Sequence, residues 1–545
     1  MKKKPSVAYF CMEYAIESKV KFYAGGLGIL AGDYMKEACD RKEPLIGIGI
    51  KWKQGYGEQR IDHESCKPYD AYINNVYKFL KDTGVTVNVT IRGRDVKVKV
   101  WQYDAHGVDN LYLLDTDIDG NDDEARWITG QLYGWFGEER VAQEIVLGIG
   151  GVRAIRALGL DIDVYHFNEG HALFAGFELI KEKMDAGLSF EEAWEKTRDE
   201  VVFTTHTPVI QGNESHPIDR LIYMGANLCL TKENLITLGG DPFNMTVGAL
   251  RLSRKANAVS DLHKDTANKM WDEVENRCGI IGITNAIHIP TWVDQTMLEL
   301  AEKYNGDDKS RESLWDRHMH NKKELIRFVE NKTGVKLDPE VLLIGFSRRA
   351  APYKRSNLIF SDRSFIEPLL KNKKLQIVFS GKAHPLDDTG KEIISNILAM
   401  TKLYPGSVVF LENYDMEIGK ALTTGSDVWL NNPRRPKEAS GTSGMKAAMN
   451  GVLNVSTLDG WWPEACQHGV NGWQFGDGYE DVDEEKCDAH DFNALTRCLL
   501  EEVIPTYYDN RCKWIDMMAS SINTTKLRFG MKRMLDEYYE KLYNK

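Results

Sequence analysis

The chain has 545 residues, 42% of them hydrophobic and 28% charged, with a formal net charge of -12 at pH 7. That length exceeds one ordinary hydrophobic core and implies two large domains or three. The acidic balance repels polyanions and argues against nucleic-acid binding, while leaving room for a local cationic pocket around one phosphate. Nine dispersed cysteines without a CxxC pair read as reduced thiols. Lys2, Lys3 and Lys4 resemble the charged start of a signal peptide, but Glu13 and Glu17 interrupt any apolar run behind them. No stretch reaches transmembrane length, so no membrane partner is expected and the expected location is cytoplasmic.

Short apolar runs alternate with helical stretches, the pattern of α/β architecture with largely parallel sheets. In the first half strands are predicted at 7–11, 45–50, 111–114, 164–167, 201–204 and 280–284. One antiparallel hairpin is expected among them: Val85, Val87, Val89 and Ile91 alternate with polar residues, residues 92–95 turn, and Val96, Val98 and Val100 alternate again. In the second half strands are predicted at 341–346, 376–380, 408–411, 428–430 and 452–457. Two successive doubly wound, Rossmann-like domains follow, 1–288 and 289–518, facing a central cleft at the carboxyl ends of their strands. A terminal amphipathic helix within 519–545, with Met531, Leu535, Tyr538, Tyr539 and Leu542 on one face, is expected to pack back on the first domain.

Four clusters could carry chemistry. Gly25-Gly26-Leu27-Gly28 precedes a helical run at 29–39, where backbone N–H groups and the helix dipole could meet an anion. Its spacing is GxGxxxG rather than a nucleotide GxGxxG, and a plain tight turn explains it equally well. Next, an apolar strand runs into Arg348-Arg349-Ala350-Ala351-Pro352-Tyr353-Lys354-Arg355, four cations within eight residues. At the end of a buried strand this reads as phosphate binding, the alternative being a solvated basic turn. The third cluster, Lys437 to Lys446, places small and hydroxyl residues ahead of a helix expected from Ala447. Lys446 at that helix start is either a surface lysine or the amine of a Schiff base. Last, Asn168, Glu169 and His171 follow one strand and His206 another. They lack HExxH-like ligand spacing, so no metal is assigned, and polar loops of this kind suit hydroxyl-rich ligands. No GxSxG elbow is present.

Taken in order, these clusters resemble the α-glucan phosphorylases, the glycogen, starch and maltodextrin enzymes of glycosyltransferase B-type fold, in their short bacterial and archaeal form. Residues 438–446, with Asn450-Gly451 and Asp459-Gly460 behind them, are similar to the family's EASGTGNMK…NG…DG stretch. The resemblance makes Lys446 the lysine that carries pyridoxal phosphate as a Schiff base. It gives Gly441, Thr442 and Ser443 the cofactor phosphate, and Glu438, Ala439, Ser440 and Gly441 the glucosyl unit. Residues 348–355 resemble KRIHEYKR. That match sets Arg348 and Lys354 toward the cofactor phosphate, Arg349 on the substrate phosphate and Tyr353 on the sugar.

By the same resemblance Gly25, Gly26 and Leu27 form the loop near the transferred phosphoryl group. His206 and Asn285 meet the glucose 6-hydroxyl, and Asn168, Glu169 and His171 line the sugar site. Gly381-Lys382-Ala383 and Glu412-Asn413-Tyr414 stand at the family's places in the second domain. Arg348 stands where the family has lysine, Ala351-Pro352 replaces a His–Glu pair and Ser443-Gly444 replaces Gly–Asn.

The implied reaction is retaining phosphorolysis of terminal α-1,4-linked glucose to glucose 1-phosphate, with glucan and inorganic phosphate as substrates and a homodimer as the family's state. The chain starts almost at its first predicted strand, so no N-terminal phosphorylation switch is expected. Two rival readings are a sugar-nucleotide glucosyltransferase like glycogen or starch synthase, and a noncatalytic glucan-binding protein.

Overall fold

The computed structural model describes residues 4–545; the charged start at Lys2 and Lys3 lies outside them. The chain forms two compact units. The first comprises 1–57, 72–284 and 534–545, and the second comprises 58–71 and 285–533. Residues 58–71 therefore group with the second half of the chain although they lie within the stretch expected for the first domain. Of the terminal region expected to return to the first domain, 534–545 belongs to the first unit and 519–533 to the second.

The first unit is built on a nine-stranded sheet of β1 (Val7–Phe10), β2 (Leu45–Ile50), β5 (Leu80–Ile91), β6 (Arg94–Ala105), β7 (Val108–Asp115), β8 (Val164–Asn168), β9 (Val201–Thr204), β12 (Lys255–Ala258) and β13 (Ile280–Gly282). The skipped numbers belong to two small antiparallel pairs: β3 (Glu58–Asp62) with β4 (Lys67–Ala71), and β10 (Ser215–His216) with β11 (Phe243–Asn244). The sheet order is β13-β12-β9-β8-β1-β2-β7-β6-β5. Strands β13 through β7 pair in parallel, while β6 and β5 add the expected hairpin in antiparallel register, with Val89 opposite Val96. Strand β1 is wholly buried, as an apolar run covered on both faces of a parallel sheet must be. Sheet order reverses between β1 and β8, so the loops leaving their carboxyl ends meet at a topological switch point.

The second unit holds an all-parallel sheet of β14 (Leu342–Ser347), β15 (Leu375–Ser380), β16 (Val408–Leu411), β17 (Val428–Asn431), β18 (Leu453–Thr457) and β19 (Gly472–Phe475), in the order β16-β15-β14-β17-β18-β19. Its switch point lies between β14 and β17. Helix Asp308–Thr333 begins at the Asp307 cap and ends at Gly334, whose φ of +74° suits the left-handed turn. It lays Leu325, Ile326 and Val329 on a core shared with Leu343, Val378, Val409 and Trp429.

Strands β12, β19 and the two small pairs were not predicted: Lys255-Ala256-Asn257-Ala258 and Gly472-Trp473-Gln474-Phe475 carry too few β-branched residues to announce a strand. The loops after β15 and β16 hold the β3–β4 hairpin. Gln59 exchanges two hydrogen bonds with the Ala383 backbone, and Glu412 accepts from the Ile61 N–H at 2.9 Å. Among the described residues no helix is long and apolar enough to cross a membrane, and all nine cysteines are unpaired.

Candidate active site

In the second unit β14 delivers its chain directly into the basic cluster. Arg348 follows the strand end, and Gly381, after the neighbouring β15, lets it pass closely: a Cβ there would stand 2.2 Å from the Arg348 carbonyl oxygen. Residues Pro352–Lys354 turn as a short 3₁₀ helix that brings Lys354 back beside Arg348. Both cations converge on one carboxylate, with Arg348 Nη2 at 2.8 Å and Lys354 Nζ at 3.0 Å from Glu438 Oε2. Arg348 also donates to Asn431 at the end of β17. Arg355, the fourth cation of the cluster, is committed elsewhere, to Asp488 at 3.0 Å and Asp491 at 2.7 Å. Arg349 is exposed.

Glu438, Arg348 and Lys354 are all buried. Burial alone would raise the Glu438 carboxyl, but Arg348 and then Lys354 outweigh it and hold it below the usual carboxylate range. Burial, reinforced by Arg348, brings Lys354 down to about 8 although Glu438 pulls the other way. Behind Glu438 stands Asp459, fully buried, which accepts from the Glu438 N–H at 2.9 Å and from the Gly460 N–H at 2.8 Å. Burial, then the Glu438 charge, pushes Asp459 up to about 8.

Lys446 requires a correction. The helix expected from Ala447 runs Thr442–Met449, so Lys446 sits in its second turn rather than at its start. Thr442, Ser443 and Gly444 have weak helix propensity, and the sequence therefore disguised the first turn. The start is set by Gly441, whose φ of +88° breaks the chain into a left-handed bend. The leading N–H groups of this helix have no intrahelical acceptors and gather positive potential beside Gly441. Lys446 is buried, and its Nζ lies 3.4 Å from the centre of the Trp292 ring. Asn450 fixes that ring's segment to the helix, donating to Trp292 O at 3.0 Å and Lys446 O at 2.9 Å. Ser440 Oγ is buried with no hydrogen-bond partner.

In the first unit β8 and β9 deliver the polar loops. His206 Nε2 lies 2.7 Å from Asn168 Oδ1, and the His206 N–H donates to Glu169 Oε2 at 2.8 Å. Asn168 donates through Nδ2 to Cys11 Sγ, which turns its oxygen to His206 and places the His206 proton on Nε2. Burial takes His206 down to about 3, so the ring is neutral. Burial raises Glu169 to about 7. Of the glycine run, Gly28 and Gly32 are required by close packing, whereas a Cβ at Gly25 or Gly26 would meet nothing within 4 Å. Asn285, assigned to the second unit, has a buried Oδ1 without a partner.

No sequence signal pointed to a further cluster around His171. Glu144, His171 and Glu214 bring ligand atoms within 4.8 Å of one another, a spacing that a cation could use. Two protein cations already face those carboxylates. Arg140 Nε lies 3.4 Å from Glu214, and His216 Nε2 lies 3.5 Å from Glu144 and 3.4 Å from Glu214. Burial lowers His216, but Glu144 and Glu214 outweigh it and lift the ring to about 9, so a protonated imidazole already faces the carboxylates. No metal role is assigned to this cluster. Trp292, Asp459 as a partner of Glu438, and Arg140 were equally silent, because each meets a partner distant in sequence.

A carbohydrate phosphorylase family model matches residues 268–491. The chain is 39% identical to a maltodextrin phosphorylase of Thermococcus litoralis, over 99% of this chain and 70% of the relative. It is 36% identical to a glycogen phosphorylase of Aquifex aeolicus, over 100% of this chain and 86% of the relative. A Methanocaldococcus jannaschii protein described only as uncharacterized is 40% identical over 98% and 99%. The chain belongs to the α-glucan phosphorylases. As a phosphorylase-family chain it is a glycosyltransferase enzyme, and its parallel-cored α/β units are those of a GT-B-like fold. Phosphorylase relatives at this identity and coverage favour neither the sugar-nucleotide transferase nor the noncatalytic reading.

Proposed function

We propose that this chain cleaves terminal α-1,4-linked glucose from maltodextrin, glycogen or starch with inorganic phosphate, releasing glucose 1-phosphate with retained configuration, and that it holds pyridoxal phosphate on Lys446. The observation that carries the reading is the second unit's grouping: a buried amine at Lys446 on a helix that opens at Gly441, and a buried Arg348–Glu438–Lys354 set at the switch point of the same sheet. The residues suit the cofactor. A dry amine can form an imine with an aldehyde, helix-leading amides and two cations suit a phosphate, and Ser440 offers a buried hydroxyl still lacking a partner.

When bound, pyridoxal phosphate supplies a phosphate group able to share a proton with the substrate phosphate. The remaining roles belong to the protein. Gly441, Thr442 and Ser443 hold the cofactor phosphate, with Arg348 and Lys354 offsetting its charge. Arg349 and the amides of Gly25, Gly26 and Leu27 hold the substrate phosphate. That phosphate protonates the leaving glycosidic oxygen, the bond from the anomeric carbon breaks, and a phosphate oxygen bonds to the same face. Glu438, Ala439, Ser440, Tyr353, Asn285 and the Asn168–Glu169–His171 loop orient the sugar. His206 serves as a neutral ring, so it adds no positive charge beside a sugar that itself becomes cationic.

Two measurements test this. Purified protein should show the absorbance of a lysine-bound pyridoxal group, lost in Lys446→Ala together with glucose 1-phosphate formation. Maltodextrin with phosphate should react, while UDP- or ADP-glucose without phosphate should not. A colourless protein that moves glucose from a sugar nucleotide would sink the proposal.

A further inference from the structure

Glu13 lies just beyond β1, is 3% exposed, and takes no part in the roles above. Its Oε2 accepts the N–H groups of Ala24 at 2.7 Å and Gly25 at 3.0 Å, and its Oε1 accepts the Tyr133 hydroxyl at 2.9 Å. Gly28 makes room for this reach, since a Cβ there would stand 2.7 Å from Glu13 Oε2. Helix Gly26–Asp40 starts directly above, its first helical bond running from Ile29 N to Gly25 O. One carboxylate thus takes the two amides before the helix, and the N–H groups of Gly26, Leu27 and Gly28 follow as leading donors with no intrahelical acceptor. The second oxygen reaches sideways: the Tyr133 ring lies tilted beside His171, 5.8 Å between centres, and carries the Arg140 guanidinium at 4.6 Å.

We propose that Glu13 is a positioning residue of the phosphate-binding loop: by holding Ala24 and Gly25 it fixes the backbone so that the amides of Gly26, Leu27 and Gly28 present themselves to the substrate phosphate, and through Tyr133 it keeps that loop in register with His171. The inference rests on the phosphorylase reading for the identity of the ligand, but the pin itself does not. Its action is geometric. A negative charge beneath an anion site opposes the anion, so the carboxylate is useful as a paired acceptor and not as a charge.

This separates the variants. Glu13→Gln keeps an oxygen for the two amides and an N–H for the Tyr133 oxygen, whereas Glu13→Ala leaves two loop N–H groups without their acceptor. In Glu13→Ala the KM for phosphate should rise about ten-fold or more, with the KM for maltodextrin changing far less, and Glu13→Gln should restore most of the loss. Amide hydrogen exchange across residues 23–28 should accelerate in Glu13→Ala and return toward normal in Glu13→Gln. A folded Glu13→Ala protein with the wild-type KM for phosphate and unchanged exchange overturns the proposal. Should that variant not fold, Glu13→Asp, one methylene too short to reach both amides and Tyr133, carries the same expectation, and a wild-type KM with unchanged exchange overturns the proposal there too. If wild-type protein forms no glucose 1-phosphate, the phosphorylase reading has failed, and exchange alone then decides whether Glu13 pins the loop.

Discussion

Glu438 Oε2 stands 2.8 Å from Arg348 Nη2 while its own backbone N–H is held by Asp459 at 2.9 Å. The carboxylate is thereby fixed from both ends, and it in turn fixes Lys354. Two cations side by side in a buried place would repel; one shared anion offsets that repulsion and holds them together.

Removing that anion should therefore cost more than one hydrogen bond. In Glu438→Gln, Arg348 and Lys354 lose their common counter-charge, and breaking a buried pair in this way costs about 3–5 kcal/mol when the leftover charge stays buried. Lys354, already drawn down to about 8, should fall further and lose its proton near neutrality. A fall in kcat/KM of about a hundred-fold or more is expected, read by initial rates of glucose 1-phosphate formation at pH 7.

Wild-type protein should lose phosphate affinity on the alkaline side, because the proposed cofactor phosphate, which repels the substrate phosphate, then loses part of the cationic charge that offsets it. The sign follows from Lys354: it is cationic below about 8 and neutral above, so the favourable charge fades as pH rises through that value. The KM for phosphate should climb between pH 7 and pH 9, and Lys354→Arg, which stays charged, should flatten the climb. An unchanged profile in Lys354→Arg would remove Lys354 from its proposed role of offsetting the cofactor phosphate.

Gly460 admits no side chain. Its φ is +58°, and a Cβ would approach the Ser440 carbonyl oxygen to 2.2 Å. Gly460→Ala should displace the 438–441 turn, at a cost of about 1–3 kcal/mol from backbone strain with steric cost added. Chemical denaturation and the absorbance of the proposed Lys446 adduct read the two consequences separately.

Asp427 tests the scaffold rather than the site. It is fully buried and accepts from Lys322 Nζ at 2.6 Å, His318 Nε2 at 2.8 Å and the Leu343 N–H at 2.8 Å. Asp427→Asn strands the Lys322 charge beneath β14 and should lower unfolding free energy by about 3–5 kcal/mol. A urea midpoint equal to the wild type would show that the network contributes little.

The strands β1, β2, β9, β14, β15 and β16 were legible because a parallel sheet buried on both faces demands uninterrupted apolar runs, and such runs stand out in one dimension. Likewise the lysine motif and the basic cluster were legible, since each is a contiguous stretch. Strand β12 and the first turn of the Lys446 helix were not, because packing overrode weak local propensity.

Chain order alone thus determined the α/β class and the family resemblance, and it singled out Lys446, Arg348 and Lys354 as candidates. Tertiary structure decided what each of them faces: that Glu438 is the shared partner of two cations, that Trp292 covers the Lys446 amine, that Arg355 is spent on Asp488 and Asp491, and that Glu13 holds the glycine loop. The reason is physical. A local pattern encodes which face of an element must avoid water, but a side chain's partner is chosen by distance in space, and the partners here lie 11 to 154 residues apart.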